Sequence, residues 1–378
     1  MGSYIRGFFQ KRRELPSSDE PRLESLFIDK NLIIEIITGG QYCESRSKAI
    51  LIKKNSETKL NAVIKLCQRS YDADRFEQQL NERDILCSLD THPNIVSLIG
   101  VVPSRLVFTK DGTSNLKNFR KWTILEHVDG ENLSIYLRDR WADLQNLIVY
   151  SPVTGYADYP PCKTNELKRV KMSDNLNSLC TIDLIAFAYQ IANGMKYLAS
   201  VKCVHRDLCL SNILLTKNKT IRIIDFQLAK KIEDDDCYRY SKTNLRREWV
   251  RWLCTAPETF QNSTSDEKSD VWSFAVCLYE LFSLGRQPNI EWNAKFIVLN
   301  RGGRFREPEN CPPQIYNFML KCWELDPEKR PTFSECFDFF CTYINNYDIQ
   351  IKKRIDEKLK ADLEKQENEK KWARGRSA

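Results

Sequence analysis

The run His205-Arg206-Asp207-Leu208-Cys209-Leu210-Ser211-Asn212, followed by Asp225-Phe226, constrains this chain more tightly than any other part of it. Between the two polar ends lie Ile213-Leu214-Leu215, a polar Lys217-Asn218-Lys219 turn and Ile221-Arg222-Ile223-Ile224. Two short apolar runs around a polar turn predict an antiparallel hairpin. A hairpin centred near Asn218 sets Asn212 opposite Asp225, so that their side-chain oxygens converge at one end of it. Two convergent hard oxygens suit a divalent cation that bridges phosphate oxygens. Asp207 is placed to accept a hydroxyl proton. One proton acceptor and two metal-binding oxygens at this spacing fit phosphoryl transfer.

The pattern H-R-D-L-x-x-x-N followed by D-F resembles the catalytic-loop signature of protein kinases. Other stretches stand where that family has its landmarks. Ala256-Pro257-Glu258 resembles the end of the activation segment, and Ser269-Asp270-Val271-Trp272-Ser273-Phe274 the helix start that anchors the catalytic loop. Arg330-Pro331-Thr332-Phe333 resembles the late arginine that partners that glutamate. Cys322-Trp323, Trp252 and Tyr197-Leu198-Ala199-Ser200 are phrased as in tyrosine kinases, receptor types especially. The resemblance runs from about Ile28 to Phe340, and many ordered matches carry more weight than one motif. It implies an α+β, bilobal protein kinase fold, with a small β-rich N-lobe bearing one helix and a larger α-rich C-lobe. The expected domain covers 28–345: N-lobe 28–126, hinge at about 126–130, and C-lobe 131–345 with an insert at about 141–179. A basic and apolar tail, 1–27, precedes it, and a charged helical tail, 346–378, follows.

Composition agrees with these bounds. A chain of 378 residues, 42% of them hydrophobic, can bury one large core or two lobes. No apolar run reaches the roughly eighteen residues that a membrane helix needs, and the N-terminus lacks the apolar segment of a signal peptide. The expected location is therefore cytoplasmic. The 14 cysteines show no paired spacing and no neighbouring histidines, so reduced thiols are expected rather than a zinc site or a disulfide framework. The net charge of +7 is spread along the chain, which does not suggest a nucleic-acid partner. Arg6, Lys11, Arg12 and Arg13 beside Tyr4, Ile5, Phe8 and Phe9 form one local cluster. It reads as a solvated tail or, alternatively, as a peripheral contact with an anionic membrane surface. Met1-Gly2 is not followed by the Ser or Thr of a myristoylation signal, since Arg6 stands there.

Leu32 to Leu66 alternates apolar strands with polar turns, and Asp72 to Leu89 reads helical. Ile124-Leu125-Glu126-His127-Val128-Asp129-Gly130 is an apolar strand running into a glycine turn. Leu184, Ala188, Ile191, Met195 and Leu198 recur at helical steps behind Thr181 as N-cap. The polar segment from about Trp141 to Leu179 contains Tyr150, Tyr156 and Tyr159, candidate phosphorylation and docking positions. Beyond Asp348, Ile351, Ile355, Leu359 and Leu363 fall at steps of four among charges. That stripe is narrow, and a solvated helix is the expectation, with a partner helix as the alternative.

The resemblance also assigns roles. Lys65, ending Ala62-Val63-Ile64-Lys65, would hold the α and β phosphates of ATP. Glu82 on the next helix would pair with it, with Glu77 the weaker candidate. Gly40 would approach phosphate, and Glu126 and Val128 are the hinge positions of the cofactor site, with Val128 backbone groups holding adenine. Asp207 would be base and orienter of the substrate hydroxyl, and Asn212 and Asp225 the ligands of Mg²⁺. His205 reads as a structural histidine. Arg206 would meet a phosphate on the activation segment, where Tyr238 and Tyr240 lie. Glu258 and Arg330 would form a buried ion pair. Several residues depart from the family pattern. Its Gly-x-Gly-x-x-Gly falls on Thr38-Gly39-Gly40-Gln41-Tyr42-Cys43, Ser45 replaces a valine, and Val63 replaces an alanine. Gln227 follows Asp225-Phe226 in place of glycine, removing a hinge. Cys209-Leu210-Ser211 lacks the arginine of tyrosine kinases, Trp249 stands near a proline position, and Leu253-Cys254 is inserted. The leading reading is a protein tyrosine kinase using ATP and Mg²⁺, with protein tyrosine side chains as substrates. A pseudokinase scaffold that binds nucleotide weakly, and a kinase with relaxed Ser/Thr preference, remain open beside it.

Overall fold

Isoleucine-rich, alternating stretches pair into a sheet near the start of the chain. In the computed structural model, residues 26, 28–29, 32–37, 46–53, 58–65, 73–102, 122–145, 149–150, 157–158, 176, 178–232, 237–239, 253–288 and 303–375 are described. Strands β1 (Leu32–Ile37), β2 (Arg46–Lys53) and β3 (Lys59–Lys65) are consecutive and antiparallel, from Leu32 opposite Lys53 to Arg46 opposite Lys65. After helix α1 (Ala73–Ser88), β4 (Leu98–Val102) and β5 (Trp122–Glu126) complete a sheet of order β1-β2-β3-β5-β4. Alternation sends Ala62 and Ile64 inward while Asn61 stays exposed, as a strand with one buried face requires.

The chain divides into two compact units, one of residues 1–68, 99–124 and 369–378, the other of 69–98 and 125–368. In the first, Ile28, Leu51, Ala62, Ile64, Ile99, Val102 and Ile124 form a core that Ala373 joins and against which Trp372 packs. The chain's end is tied in by backbone as well. The Asp29 amide donates to Ala373 O at 2.9 Å, and Arg374 Nε donates to Ile99 O at 3.0 Å.

The second unit is mainly helical. It continues with β6 (Gly130–Asn132), α2 (Leu133–Asp139), β7 (Leu144–Gln145), β8 (Val149–Tyr150), β9 (Ala157–Asp158) and β10 (Leu179–Cys180). The expected insert at about 141–179 begins and ends on a short parallel pair, β7 with β10, and β8 pairs with β9. Tyr150 lies in β8, whereas Tyr156 and Tyr159 lie outside the described residues. Helix α3 (Thr181–Ser200) buries Leu184, Ala188, Ile191, Met195 and Leu198 as their spacing predicts. Its N-cap is Cys180, not Thr181, because Asp183 at the third helical position accepts the Cys180 amide at 3.0 Å. That carboxylate also takes Lys219 Nζ at 2.9 Å, both side chains being buried, so the last lysine of the polar turn is an interior group.

Next come β11 (Cys203–Val204), β12 (Ile213–Thr216), β13 (Ile221–Ile223), β14 (Lys230–Lys231) and β15 (Tyr238–Arg239). Then follow α4 (Pro257–Asn262), β16 (Thr264–Ser265), α5 (Glu267–Phe282), α6 (Pro313–Cys322) and α7 (Phe333–Ala373). Strands β12 and β13 form the expected hairpin, and β6 flanks β12. The Arg330 guanidinium holds the Glu258 carboxylate in two parallel bonds of 2.7 and 2.8 Å. Among the described residues no helix is long and apolar enough to cross a membrane.

The solvated helix expected after Asp348 is corrected by its burial. Helix α7 breaks its regular dihedrals at Asp348 (φ −161°) and then covers Ile351, Ile355, Leu359, Asp362 and Gln366. A reading in steps of four drifts off a face whose period is 3.6. The buried stripe therefore passes through Asp362 rather than Leu363. Asp362 Oδ2 accepts Arg222 Nη2 at 2.9 Å, Arg222 Nε donates to Glu126 Oε1 at 3.1 Å, and Gln366 Nε2 donates to the same Glu126 oxygen at 2.8 Å. Charges on this stripe read as surface, yet they complete a buried polar cluster.

Hydrogen bonds to buried charges contribute about 1.5–3 kcal/mol, so Asp362→Ala is expected to destabilise the protein by about that amount in urea unfolding. In combination with Arg222→Gln the losses should fall short of additivity, because each replacement removes the same pair. Additive losses would show that the two side chains do not interact.

Candidate active site

The loop from His205 to Asn212 joins β11 to β12 and is held from α5. Asp270, one turn into that helix, accepts the His205 amide at 2.6 Å and the Arg206 amide at 2.9 Å. Arg206 has φ +67°, a left-handed conformation that a residue with a Cβ adopts only when its surroundings impose it. Farther along the loop, Leu210 N–H donates to Glu280 of the same helix at 3.2 Å. Burial pushes the Asp270 carboxyl up to about 7, against the pull of the two amides.

His205 is fully enclosed. Its Nδ1 accepts the Asp207 amide at 3.3 Å and its Nε2 faces Ile224 O at 3.2 Å, which assigns the proton to Nε2. Burial lowers its pKa to about 4, so the ring is neutral at physiological pH. It packs on edge against Phe226 with centroids 4.9 Å apart. These contacts make it the structural histidine that the sequence predicts.

Asn212 Nδ2 donates to both Asp207 O and Asp207 Oδ2 at 2.8 Å. The amide is thereby oriented, with Oδ1 as its acceptor atom. The expected register is corrected by one residue. Ile213 lies opposite Ile223, and the Ile224 amide donates to Asn212 O at 2.9 Å, so Asn212 faces Ile224 and not Asp225. A three-residue turn, Lys217 to Lys219, centres the hairpin on Asn218 itself, with Lys219 left-handed at φ +58°. Asp225 then leaves the ladder at φ +70°. The special backbone angle thus falls on Asp225; Gln227 is not among the residues with positive φ, and its Cβ meets no backbone penalty there.

Phe226 is buried, and its amide donates to Glu82 Oε1 at 3.3 Å. On α1 Glu82 is 2% exposed while Glu77 is exposed. Asn81, the neighbour of Glu82, donates to Gln227 O and Ala229 O, each at 2.9 Å. Nothing in its local sequence sets Asn81 apart from other polar helix residues. Arg206 Nη1 donates to Leu228 O at 2.8 Å, and its guanidinium carbon lies 4.1 Å from the centre of the Tyr238 ring. Arg206 thus meets one of the two expected tyrosines; Tyr240 lies outside the described residues. Lys65 closes β3 in the first unit. Gly40 and the stretch Thr38 to Ser45 lie outside the described residues. Glu126 accepts the Ser97 amide at 2.9 Å in addition to Arg222, and Val128 O accepts the Gly130 amide at 3.1 Å. Among the described residues no group of three or more His, Cys, Asp or Glu is arranged as a metal site; Asn212 and Asp225 carry side-chain oxygens that could hold a cation.

Residues 33–340 match the family model for protein tyrosine and serine/threonine kinases. The chain belongs to that family. Its relatives include the receptor-like tyrosine-protein kinase kin-15 of Caenorhabditis elegans, 35% identical over 331 residues, which covers 85% of this chain and 65% of that protein. Fibroblast growth factor receptor 1 of Xenopus laevis is 34% identical over 283 residues, covering 73% of this chain and 30% of that protein. The tyrosine-protein kinase receptor ver-3 of C. elegans is 32% identical, covering 85% of this chain and 26% of that protein. The chain spans less than two thirds of the length of each. It is a kinase domain homologous to receptor tyrosine kinases, and ATP with a divalent metal is the general requirement of such domains.

The neutral His205 makes stability depend on pH. Its folded pKa lies below the unfolded value of 6.5, so the unfolded chain binds the extra proton between those values and stability contributed by this group is lost as pH falls from about 6.5 to 4. At pH 5 the loss is on the order of 2 kcal/mol. The parental protein should therefore exceed His205→Gln in urea stability by a margin that shrinks between pH 7 and pH 5. A constant margin would show that His205 does not titrate in this way.

Proposed function

We propose that this kinase domain transfers the γ-phosphate of ATP to tyrosine hydroxyls of protein substrates, with Mg²⁺ as the metal. The single observation that carries the reading is the hydrogen-bonded pair Asp207–Asn212, fixed in the loop that leads into the hairpin from which Asp225 emerges. Phosphoryl transfer asks a protein mainly to position reactants and to balance charge on phosphate oxygens. Asp207 would accept the proton of the attacking hydroxyl; its carboxylate is kept in place by Asn212 Nδ2 and its amide by His205 Nδ1. Asn212 Oδ1 and the Asp225 carboxylate are the oxygen donors that would hold Mg²⁺, an oxygen-seeking ion that keeps water and phosphate as its remaining ligands. When bound, that ion would neutralise developing charge on the phosphate oxygens.

Lys65 would bind the α and β phosphates, with Glu82 as its partner, and Gly40 would approach them through its backbone. Backbone groups at Glu126 and Val128 would hold adenine. The preference for tyrosine is supported by the names of the relatives, all tyrosine kinases or growth factor receptors. Tyr150, Tyr156 and Tyr159 would serve as phosphorylated docking positions. A cytoplasmic location is proposed, with the basic N-terminal cluster as a peripheral membrane contact.

Labelled ATP with mixed tyrosine and serine peptides tests the proposal. The parental protein should label tyrosine. Asp207→Asn keeps the size and the Asn212 neighbour but cannot accept the proton, and should lower transfer by about 10²–10⁴-fold with little change in melting temperature. Labelling of serine alone would redirect the specificity, and absence of transfer by the parent would favour a scaffold that works without catalysis.

A second expectation concerns Gln227. A side chain there restricts the exchange of the Asp225-Phe226 segment between inward and flipped states, a restriction that glycine would remove. Gln227→Gly should increase the ratio of activity between phosphorylated and phosphatase-treated protein. An unchanged ratio would show that the residue at this position does not limit the exchange.

A further inference from the structure

Helix α1 grips the segment after Asp225 through one side chain besides Glu82. Asn81 Nδ2 lies 2.9 Å from Gln227 O, 2.9 Å from Ala229 O and 3.5 Å from Phe226 O, while its Oδ1 accepts Lys230 Nζ at 2.7 Å. The adjacent Glu82 takes the Phe226 amide. Two neighbouring residues of one helix therefore satisfy one donor and at least two acceptors of a five-residue backbone stretch. Amide donors are needed for this, because carbonyl oxygens accept only. The stretch begins at Asp225, whose φ of +70° is a conformation that reverts unless its flanks are held.

We propose that Asn81 is a positioning residue for Asp225. By fixing the carbonyls of residues 227 and 229, Asn81 keeps Phe226 buried and Asp225 in its left-handed conformation, the state in which its carboxylate serves as a metal ligand. Control of the segment then passes through α1, the helix that also carries Glu82, and not through a glycine at position 227. This deepens the proposed function and rests on its reading of Asp225 as the metal ligand.

Two variants separate the donor from the acceptor role of Asn81. Asn81→Asp retains a partner for Lys230 but presents a carboxylate to carbonyl oxygens, whereas Lys230→Met removes the cation and leaves the amide donors in place. Hydrogen exchange of the amides of residues 226–230, read without nucleotide, reports the clamp whether or not the protein transfers phosphate. Asn81→Asp should speed that exchange on the order of tenfold or more, as expected from the loss of two hydrogen bonds, and Lys230→Met should change it little. Binding of a fluorescent ATP analogue with and without Mg²⁺ supplies the second readout. The gain in affinity on adding Mg²⁺ should shrink in Asn81→Asp and persist in Lys230→Met. Unchanged exchange in Asn81→Asp would overturn the clamp. Faster exchange with an intact Mg²⁺ gain would overturn its link to Asp225, as would an equal loss in both variants. A parental protein with no transfer but with the predicted exchange pattern and Mg²⁺ gain would overturn the kinase reaction and leave this inference standing.

Discussion

Arg206 at φ +67° occupies a conformation that costs a residue with a Cβ on the order of 1 kcal/mol or more, and the loop around it depends on the Asp270 carboxylate that accepts two of its amides. Without that acceptor, the His205 and Arg206 amides would be buried donors with nothing to satisfy them. With it, His205 is turned so that its ring bonds the Asp207 amide on one side and meets Ile224 O on the other. One buried carboxylate on α5 thereby sets the backbone of Asp207, the direction of the imidazole and, through Ile224, the hairpin strand leading to Asp225. Burial opposes the charge on Asp270 and raises its pKa, while the two amides favour the charge.

Other buried charges act as similar joints in the second unit. Asp183 ties α3 to the hairpin turn through Lys219, Glu258 ties α4 to the segment after α6 through Arg330, and Arg222 ties β13 to Glu126 and α7. Each joins elements distant in sequence, and each leaves a buried charge if one side is removed, which is costly even where the intact pair adds little stability. Two of the three, at Lys219 and at Arg222, meet the hairpin, whose open end is flanked by Asn212 on one side and Asp225 on the other.

Much of this was legible from residue order alone. The apolar spacing of α3, the strands of the sheet, the hairpin and the anchoring stretch at Asp270 follow from periodicity and from the ordered kinase motifs, because those signals are local and repeated. The errors are of a different kind. Register at Asn212 turned on whether the turn contains an odd or even number of residues, which a polar run of lysines and asparagine does not reveal. Cys180 displaced Thr181 as N-cap because Asp183 reaches back, a choice made by a side chain three residues later. Lys219, Arg222, Asp362 and Gln366 are residue types that usually face solvent, and only tertiary pairing makes them interior. Asn81 has no sequence signature at all. Its importance comes from the carbonyls that chain folding brings to it.

The matched family model ends at residue 340, but the packed interior does not. Ile351, Ile355 and Leu359 are buried in the second unit, and Trp372 and Ala373 contribute to the core of the first. Fully burying an aliphatic side chain of this size contributes about 1.5–3 kcal/mol, so a chain ended at the family boundary would lose several such contributions and expose the apolar surface they cover. It would also take Asp362 away from Arg222 and strip Glu126 of the Gln366 amide. Glu126 opens the segment that contains Val128 and Arg222 lies in the strand that leads to Asp225, so the charged tail is packed against both of these segments through Asp362 and Gln366. A narrow apolar stripe with acids and amides at interior positions is thus sufficient for docking when the receiving surface supplies an arginine and a glutamate at the matching height.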